Sequence, residues 1–371
     1  KDEKRETKMA TAEQSSFWIY RTYSEAEVKA FETKVISLFK ARTVRSFSDF
    51  VHLVCSETGL ARHPSFAHYI KRPHSDVHTL EFRQIKVDLK SLIFVFLANR
   101  FSEEKVTGLR FWHSGLSPEA VELLLRRLTL PESGVTHLEF AYETGLASNP
   151  LLPQLADRTL NIESLSFSSC ELGPEVVSKL IAKIKEATSP LRALDLYSCK
   201  LSPKNLEELA DLMETHNLFE FIGLGRNNVG AGDAWTAGIA ALGKVILPVP
   251  CSDAQVEEYR KREKEWLALA DKNKKLRALG KKEQPLFALD PMKRGPEGAV
   301  LLRNSRLRLI DLRENCLSSE QAKEISQNLL NWEIEAVIVL FLNKPELEQR
   351  VLCGKQKQIE EPFDESPTPQ P

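Results

Sequence analysis

A glycine-rich turn is the first place where the residue types suggest chemistry. Residues 223–230 read GLGRNNVG, which is close to Gly-x-Gly-x-x-Gly, a turn whose backbone N–H groups can hold a phosphate. Asn228 occupies the position of the third glycine, and no lysine followed by serine or threonine completes a P-loop. The turn also falls within a strand pattern that recurs along the chain. We therefore predict a strand and its following turn here, and no phosphate site.

Histidines and cysteines are the other residues that could bind a metal or react with a substrate. His63, His68, His74 and His78 lie in one N-terminal region, but a zinc site needs convergent ligands and usually a cysteine or carboxylate among them. The six cysteines show no short paired spacing, which argues against a zinc site and against a secreted disulfide framework. We predict a chain without catalytic residues, cofactors or metal ions, which is not an enzyme.

Charge balance and hydropathy narrow the possible partners. The chain has 371 residues, with 51 Lys and Arg against 52 Asp and Glu, so it has no strong net field to attract nucleic acid. No apolar run approaches the roughly 18 residues that a membrane helix needs, and no signal peptide opens the chain. These features predict a cytoplasmic protein that binds no nucleic acid and does not insert into a membrane.

The framework that would position any site is indicated by a leucine pattern that recurs through most of the chain. Residues 191–201 read LRALDLYSCKL, which has the spacing L-x-x-L-x-L-x-x-C/N-x-L. The residues aligned with Leu194 are successively 29, 29, 27, 29, 28, 88 and 28 residues apart. They are Leu80, Leu109, Leu138, Leu165, Leu194, Ile222, Ile310 and Ile338. A unit of one strand and one helix buries its apolar face only by stacking on its neighbours, so the pattern predicts a stacked array.

A second column lies in the turn after each strand. Its members are Ser114, Cys170, Cys199, Asn227, Asn315 and Asn343. A small polar side chain at this position can bond to the backbone of the adjacent turn, where the strand hydrogen bonds have stopped. We therefore interpret Cys170 and Cys199 as structural.

The repeats, with a cysteine or asparagine in each turn, resemble the ribonuclease-inhibitor class of leucine-rich repeats over residues 77–345. The resemblance implies an α/β fold: a curved leucine-rich repeat solenoid with a parallel sheet on its concave face and helices on its convex face. It also implies that the concave face binds proteins.

The segments that flank the array are predicted to be helical or disordered. In the N-terminal cap, Ser24 begins a helix with a capping box, a second helix runs from about Ser48 to Glu57, and a loop from Arg62 to His78 leads to the first strand. In the third unit two prolines predict a short or irregular element. The predicted boundaries are residues 1–16 for a disordered lead, 17–75 for the helical cap, 76–348 for the array and 349–371 for a disordered tail.

An insertion is predicted at residues 250–305, within the array. Ser252 to Glu283 reads as one long helix with a capping box at its start, and it contains ten Lys or Arg and seven Asp or Glu. Two interpretations stay open, a solvated excursion docked on the array or a projecting arm that binds a partner helix or an acidic surface. The apolar stripe that would dock it consists of Val256, Tyr259, Trp266 and Ala270.

Two sets of side chains are predicted to bind other proteins, because Trp, Tyr and Arg bury a large area and keep a polar group. The alternative is an ordinary surface composition. On the concave face the set is Trp112, His113, Tyr142, Tyr197, Arg226 and Arg313. On the insertion helix it is Tyr259, Arg260, Arg262, Trp266, Lys274 and Lys275. A shallow bay between the concave anchors is predicted at Ser166, Ser168, Gly223 and Gly225.

We therefore expect a non-enzymatic scaffold that binds other proteins. Residues 250–318, which include VEEYRKREKEWLALADKNKKL and RNSRLRLIDLRENCLS, are similar to insertions in leucine-rich-repeat proteins of cilia and flagella. This similarity implies a structural subunit of an axoneme or another cytoskeletal complex, with tubulin or axonemal subunits as partners. The alternatives are a regulator of a small GTPase, an enzyme inhibitor that acts through the concave face, and an actin-capping protein.

Overall fold

The structure, a computed structural model, describes most of the chain between Tyr20 and Leu352. Of the residues discussed above, His74, Asn343, the lead at 1–16, the end of the predicted insertion helix at 280–283 and the predicted tail from residue 353 lie outside the described part. The described residues are 20–40, 43–71, 78–157, 160–186, 191–215, 219–229, 232–246, 249–279, 284, 292–295, 298–301, 307–318, 337–341 and 348–352.

Two sheets are formed by the described residues, which adopt an α/β fold. In the large sheet the strands follow one another in sequence order, and all neighbouring pairs are parallel except the last. Its first six strands are β1 (Thr79–Arg83), β2 (Gly108–Trp112), β3 (His137–Ala141), β4 (Ser164–Ser168), β5 (Ala193–Asp195) and β6 (Phe221–Gly223). The small sheet consists of β7 (Val249–Pro250), β8 (Met292–Gly295) and β9 (Gly298–Leu301). The large sheet then ends with β10 (Leu309–Asp311), β11 (Val337–Phe341) and β12 (Glu348–Leu352).

The residues aligned with Leu194 in the sequence, which we call the leucine column, pair with one another across the large sheet. Leu80 pairs with Leu109, and the column continues strand by strand to Ile310 and Ile338. The predicted alignment is therefore confirmed for all eight strands. It holds even across the step of 88 residues, because Ile222 in β6 pairs directly with Ile310 in β10.

A second buried row lies two residues further along each strand. Its first four members are phenylalanines whose rings stack on one another with centroids 5.4 to 5.5 Å apart. Offset stacking of this kind stabilises a core beyond the area that it buries. The row consists of Phe82, Phe111, Phe140, Phe167, Leu196, Leu224 and Leu312.

Helices pack against this inner side of the sheet. In the array they begin where the sequence predicts, as at Ser117, whose side chain accepts from the backbone N–H of Ala120 while Pro118 takes the first helical position. In the third unit the predicted irregular element is confirmed as two 3₁₀ turns, Thr144–Ser148 and Leu152–Ala156. The helices are α1 (Glu25–Leu38), α2 (Phe47–Thr58), α3 (Pro64–Lys71), α4 (Leu89–Phe101), α5 (Pro118–Leu128), α6 (Pro174–Lys185), α7 (Pro203–Thr215), α8 (Thr236–Ile246) and α9 (Asp253–Ala278).

Asparagine side chains connect the turns of successive units. The side-chain oxygen of Asn227 accepts from the backbone N–H of Cys199 at 2.9 Å and of Leu201 at 3.3 Å. Asn315 repeats this one unit later, since its oxygen accepts from the backbone N–H of Asn227 at 2.8 Å and of Val229 at 3.3 Å. These bonds satisfy buried backbone groups that strand pairing leaves without partners.

A glutamate takes the same position in the third unit, which the sequence pattern did not predict. The buried carboxylate of Glu143 accepts from the backbone N–H of Ser114 and, at 3.2 Å, from that of Leu116. It therefore makes the two bonds that Asn227 makes in a later unit. The thiols of Cys170 and Cys199 lie in the same row and donate to the backbone oxygens of Phe140 and Phe167.

A left-handed residue follows each of the first six strands and β10. Such backbone angles are uncommon outside glycine, so their recurrence at one position marks a repeated backbone geometry. The φ angles lie between 49° and 57° at Gln84, His113, Tyr142, Ser169, Ser198, Arg226 and Glu314.

The N-terminal helices cover the first unit of the array. Phe50 of α2 and Phe66 of α3 both pack against Phe94 of α4, with ring centroids 5.0 and 4.8 Å apart. Arg127 of α5 donates two hydrogen bonds, of 2.7 and 2.6 Å, to the carboxylate of Glu32 in α1. The predicted loop from Arg62 to His78 is wrong in part, because α3 forms there around the buried Phe66 after a proline that suits a helix start.

The insertion has its own small sheet. Val249 of β7 pairs with Leu301 of β9, so the chain enters and leaves the insertion at adjacent positions. Between them lies α9, and Ser252 and Gln255 form the predicted capping box at its start. In the large sheet β10 therefore pairs directly with β6, and the insertion does not interrupt the pairing.

The last strand differs from the prediction for the C-terminal end. β12 pairs antiparallel with β11, so residues 349–352 form a strand where a disordered tail was predicted. The physical reason is that β11 would otherwise present an open row of N–H and C=O groups, which pairing with β12 covers.

Candidate protein-binding surfaces

The open face, defined as the side of the large sheet opposite the helices, collects the first predicted set of residues. Trp112, Tyr197 and Arg313 occupy equivalent positions, three residues after the leucine column. Trp112 ends β2, whereas Tyr197 and Arg313 come two residues after the ends of β5 and β10. The other three predicted residues occupy the left-handed position that follows, at His113, Tyr142 and Arg226. The fold brings Trp112 next to Tyr142, and it brings Tyr197 and Arg226 to the same carboxylate, that of Glu314.

Three of the side chains near the start of the sheet form what we call the Trp112 cluster, Arg83 with Trp112 and Tyr142. The Arg83 guanidinium lies 4.0 Å from the Trp112 ring centroid, and the rings of Trp112 and Tyr142 stack with centroids 6.1 Å apart. Tyr142 is nevertheless 48% exposed. Arg83 was missed by the sequence prediction, although its place on the strand before Trp112 is the signal that could have identified it.

A second group further along the sheet, the Tyr197 cluster, is polar. It comprises Tyr197, Arg226, Asp311, Arg313 and Glu314. The Tyr197 hydroxyl donates to Glu314 at 2.9 Å, Arg226 lies 3.8 Å from the same carboxylate, and Arg313 donates to both oxygens of Asp311 at 2.8 Å. Burial, then the bond to Glu314, raises the pKa of Tyr197. The exposed side chains of Arg226, Arg313 and Glu314 are therefore held in place by contacts with the half-buried Tyr197 and the buried Asp311.

The predicted bay between the two clusters is only partly open. A side chain at Gly225 would meet the Tyr197 ring at 2.7 Å, and the Asp195 carboxylate covers Gly223 in the same way. The glycine half of the predicted bay is therefore filled by the preceding strand, which is why glycine is needed there. Small side chains remain at Ser166 and Ser168 on β4.

Asp195 is an open-face carboxylate that the sequence prediction did not select. It accepts from the Ser166 hydroxyl and from the backbone N–H of Tyr197, each at 3.0 Å. Burial raises its pKa, and the charges of Asp311 and Glu139 add to the shift. The neighbouring Glu139 pairs with Arg110 at 2.6 Å.

Buried thiols offer no nucleophile. Burial raises the pKa of Cys170 to about 12 and that of Cys199 well above its usual value. A thiol reacts as the thiolate, so both remain in the unreactive protonated form near neutral pH. This agrees with their structural role in the turns.

The second predicted set lies on α9 and divides into two groups. The Tyr259 hydroxyl accepts from the backbone N–H of Met292, Arg260 pairs with Glu257, and Trp266 is half-buried. Tyr259 and Arg260 are therefore engaged within the insertion. Arg260, Arg262, Lys274 and Lys275 are exposed.

Among the residues that the structure describes, no three His, Cys, Asp or Glu side chains converge on a point that could hold a metal ion. His63, in the N-terminal cap, instead packs against Phe82 of β1, with ring centroids 5.1 Å apart. In the same part of the chain, no helix is both long and apolar enough to cross a membrane.

Comparison with known proteins found no relative. No protein-family model matches this chain, and no curated protein matches it.

Proposed function

We propose that the chain is a leucine-rich repeat solenoid of the ribonuclease-inhibitor class and a non-enzymatic scaffold that binds another protein through its open face. Three repeated features support the class: the aligned strands, the polar side chains that join successive turns, and the left-handed residue after each strand. A sheet with helices on one side leaves its other side free for a partner.

The observation that carries the proposal is the exposed Trp112 cluster. Tryptophan, tyrosine and arginine dominate the binding energy of protein interfaces, because they remove a large area from water and are already ordered. Here Arg83 and Tyr142 hold Trp112 between them. These side chains would therefore lose little conformational entropy when a partner binds.

The spacing of the two clusters suits one segment of a partner. Trp112 lies on β2, and Tyr197 lies two residues beyond the end of β5, three strands further on. With strands about 4.8 Å apart, the clusters are separated by roughly 14 Å. A helix or a loop fits between them, above the small side chains of Ser166 and Ser168.

The experiment is quantitative capture of native partners with the full chain and two tyrosine variants. Tyr142→Ala removes an exposed ring from the open face, whereas Tyr20→Ala removes a ring of similar exposure, 38%, that lies ahead of α1. We expect the specific partner to be lost with Tyr142→Ala and retained with Tyr20→Ala. Equal capture by the two variants would show that the open face is not the binding surface.

We further propose that the partner belongs to a ciliary or other cytoskeletal assembly. The support is the similarity of residues 250–318 to insertions of ciliary leucine-rich-repeat proteins, together with the long insertion helix α9. Detergent extraction of ciliated cells that express the tagged chain tests this. Retention in the extracted axoneme is expected, and complete release into the detergent fraction would contradict it.

A further inference from the structure

The insertion helix α9 uses one face to contact its own return segment. The Asn273 side chain exchanges two hydrogen bonds, of 2.7 and 2.8 Å, with the backbone of Gln284. Nearer the start of the helix, the Tyr259 hydroxyl accepts from the backbone N–H of Met292 at 3.3 Å. Val256 and Asn273 are its buried residues, so this face is occupied within the insertion.

The opposite face of α9 presents four lysines, which we call the lysine row. Lys261, Lys264, Lys272 and Lys275 follow one another at three, eight and three residues, with Ala268 midway in the longer step. Residues three or four apart lie on one helix face, so the row extends along about 21 Å of the helix. All four side chains are exposed.

The lysines of the row lie near acidic side chains of α9, with Glu257 four residues before Lys261 and Asp271 four residues before Lys275, but they do not pair with them. None of its four side chains forms an ion pair with any residue that the structure describes, although Arg260 beside it pairs with Glu257. A helix dipole favours cations only in the last turn. Lys261 and Lys264 lie in the first half of α9, so the dipole does not explain the row.

Exposed apolar side chains accompany the lysines. Leu267 is 54% exposed and Leu279, one turn beyond Lys275, is 69% exposed. The described residues include only two other large apolar side chains of comparable exposure, Tyr20 and Tyr142. Protein interfaces bury apolar groups at their centre and carry polar groups at their rim, so the leucines would be the buried contacts and the lysines the rim.

We propose that the lysine row docks an acidic segment of a partner protein, with Leu267 and Leu279 as its apolar contacts. Charge complementarity selects the occupant, since four lysines at helical spacing match acidic side chains spaced along a partner segment. Nucleic acid fits less well, because its charged backbone offers no apolar side chains to Leu267 and Leu279, which are exposed beside the row. This surface is separate from the open face, so it adds a second partner site to the proposed scaffold.

The test measures binding of two labelled peptides to the full chain by fluorescence anisotropy at low ionic strength. The first peptide has 18 residues with glutamates at alternating spacings of three and four and leucines between them, about the length of the row. The second has glutamine at each glutamate. The wild-type chain should bind only the first peptide, and added salt should weaken that binding.

Charge reversal provides the matched variants. Lys272→Glu with Lys275→Glu should weaken binding of the acidic peptide about tenfold or more. Lys29→Glu with Lys34→Glu makes the same change in net charge on α1 and should leave binding unchanged. Tyr142→Ala should also leave it unchanged, so a failure here is distinguishable from a failure of the open-face proposal.

Three outcomes would overturn the inference. Equal weakening by both charge-reversal pairs would show a response to net charge alone. Equal or tighter binding of a DNA duplex, lost with the same lysines, would assign the row to nucleic acid. Peptide binding that requires removal of residues 353–371, which carry four acidic residues, would show that the chain's own C-terminal end occupies the row.

Discussion

Asn227 shows how one side chain joins two units of the array. Its oxygen accepts from two backbone N–H groups of the preceding turn, and its amide donates to the backbone oxygens of Leu196, Leu224 and Gly225 at 2.8 to 3.0 Å. Replacing the side chain by a methyl group would leave several buried polar groups without partners. Asn227 is therefore part of the frame that holds Tyr197 and Arg226 in place.

We expect Asn227→Ala to lower the free energy of unfolding by about 2 to 4 kcal/mol, because each buried group left unpaired costs about 1 to 3 kcal/mol. Asn227→Cys should cost less, since Cys170 and Cys199 occupy the same position in two other units. Urea unfolding curves of the three proteins measure the difference. Equal stability of the alanine variant and the wild type would show that the turns do not need these bonds.

His63 predicts a pH dependence of stability in the cap. Burial lowers its pKa from 6.5 to about 4, and its Nδ1 accepts from the backbone N–H of Ser65. Since the unfolded chain binds the proton more tightly, the contribution is fully present above pH 6.5 and is lost as the pH falls toward 4. The loss amounts to about 3 kcal/mol over that interval.

The measurement is urea unfolding between pH 4.5 and 7.5 for the wild type and for His63→Asn. Asparagine can still accept from the backbone two residues on, so the variant should fold but lose stability less steeply with acid. If both proteins show the same slope, His63 is not the group that titrates.

At the scale of elements, the insertion is an addition that the array does not require. β6 pairs with β10 in register, and the pairing of Val249 with Leu301 places the two ends of the insertion side by side. Residues that are adjacent in space can be joined without moving the units on either side. We therefore expect the array to fold without the insertion.

Deletion of residues 249–301 should leave a folded array. We expect far-UV circular dichroism to lose only the signals of α9 and of the small sheet, and cooperative unfolding to persist with a midpoint close to that of the full chain. The deletion should abolish binding of the acidic peptide while partner capture through Trp112 continues. Aggregation, or loss of cooperative unfolding, would show that the insertion supports β6 and β10.

The elements that depend on short-range pattern were predictable, whereas those decided by tertiary contacts were not. The leucine column and the helix starts follow from residue spacing, because each unit repeats the same local geometry. Glu143 was not predicted, since only its position next to Ser114 makes a long carboxylate suitable there. Helix α3 was missed because its one buried phenylalanine, Phe66, becomes informative only when Phe94 lies against it.

The same limit applies to the candidate surface. Alternation along a strand fixes the side on which Trp112 lies. The other five predicted residues follow their strands, so the turn geometry and the contacts of the folded chain decide where their side chains lie. Which of them touch was not predictable, since the contact of Arg83 with Trp112 joins two units. The prediction that Gly223 and Gly225 form part of an open bay was wrong for a similar reason. The Tyr197 ring and the Asp195 carboxylate of the preceding strand fill that space.

At the scale of the whole molecule, the described chain carries two separate surfaces with different chemistry. The open face offers aromatic rings and arginines that are already ordered, and α9 offers exposed lysines with two leucines. A chain that presents two such surfaces can hold two partners at a fixed separation, as a scaffold does. Binding through the open face is the central claim, because the repeat builds that face.

Site-specific photo-crosslinking tests this claim most directly. A photoreactive phenylalanine analogue replaces Ser168, on the open face between the two clusters, and in a matched protein replaces Lys179, which is exposed on α6. If the partner binds through the open face, we expect it to crosslink from position 168 and not from position 179. Crosslinking of that partner from position 179, with none from position 168, would contradict it.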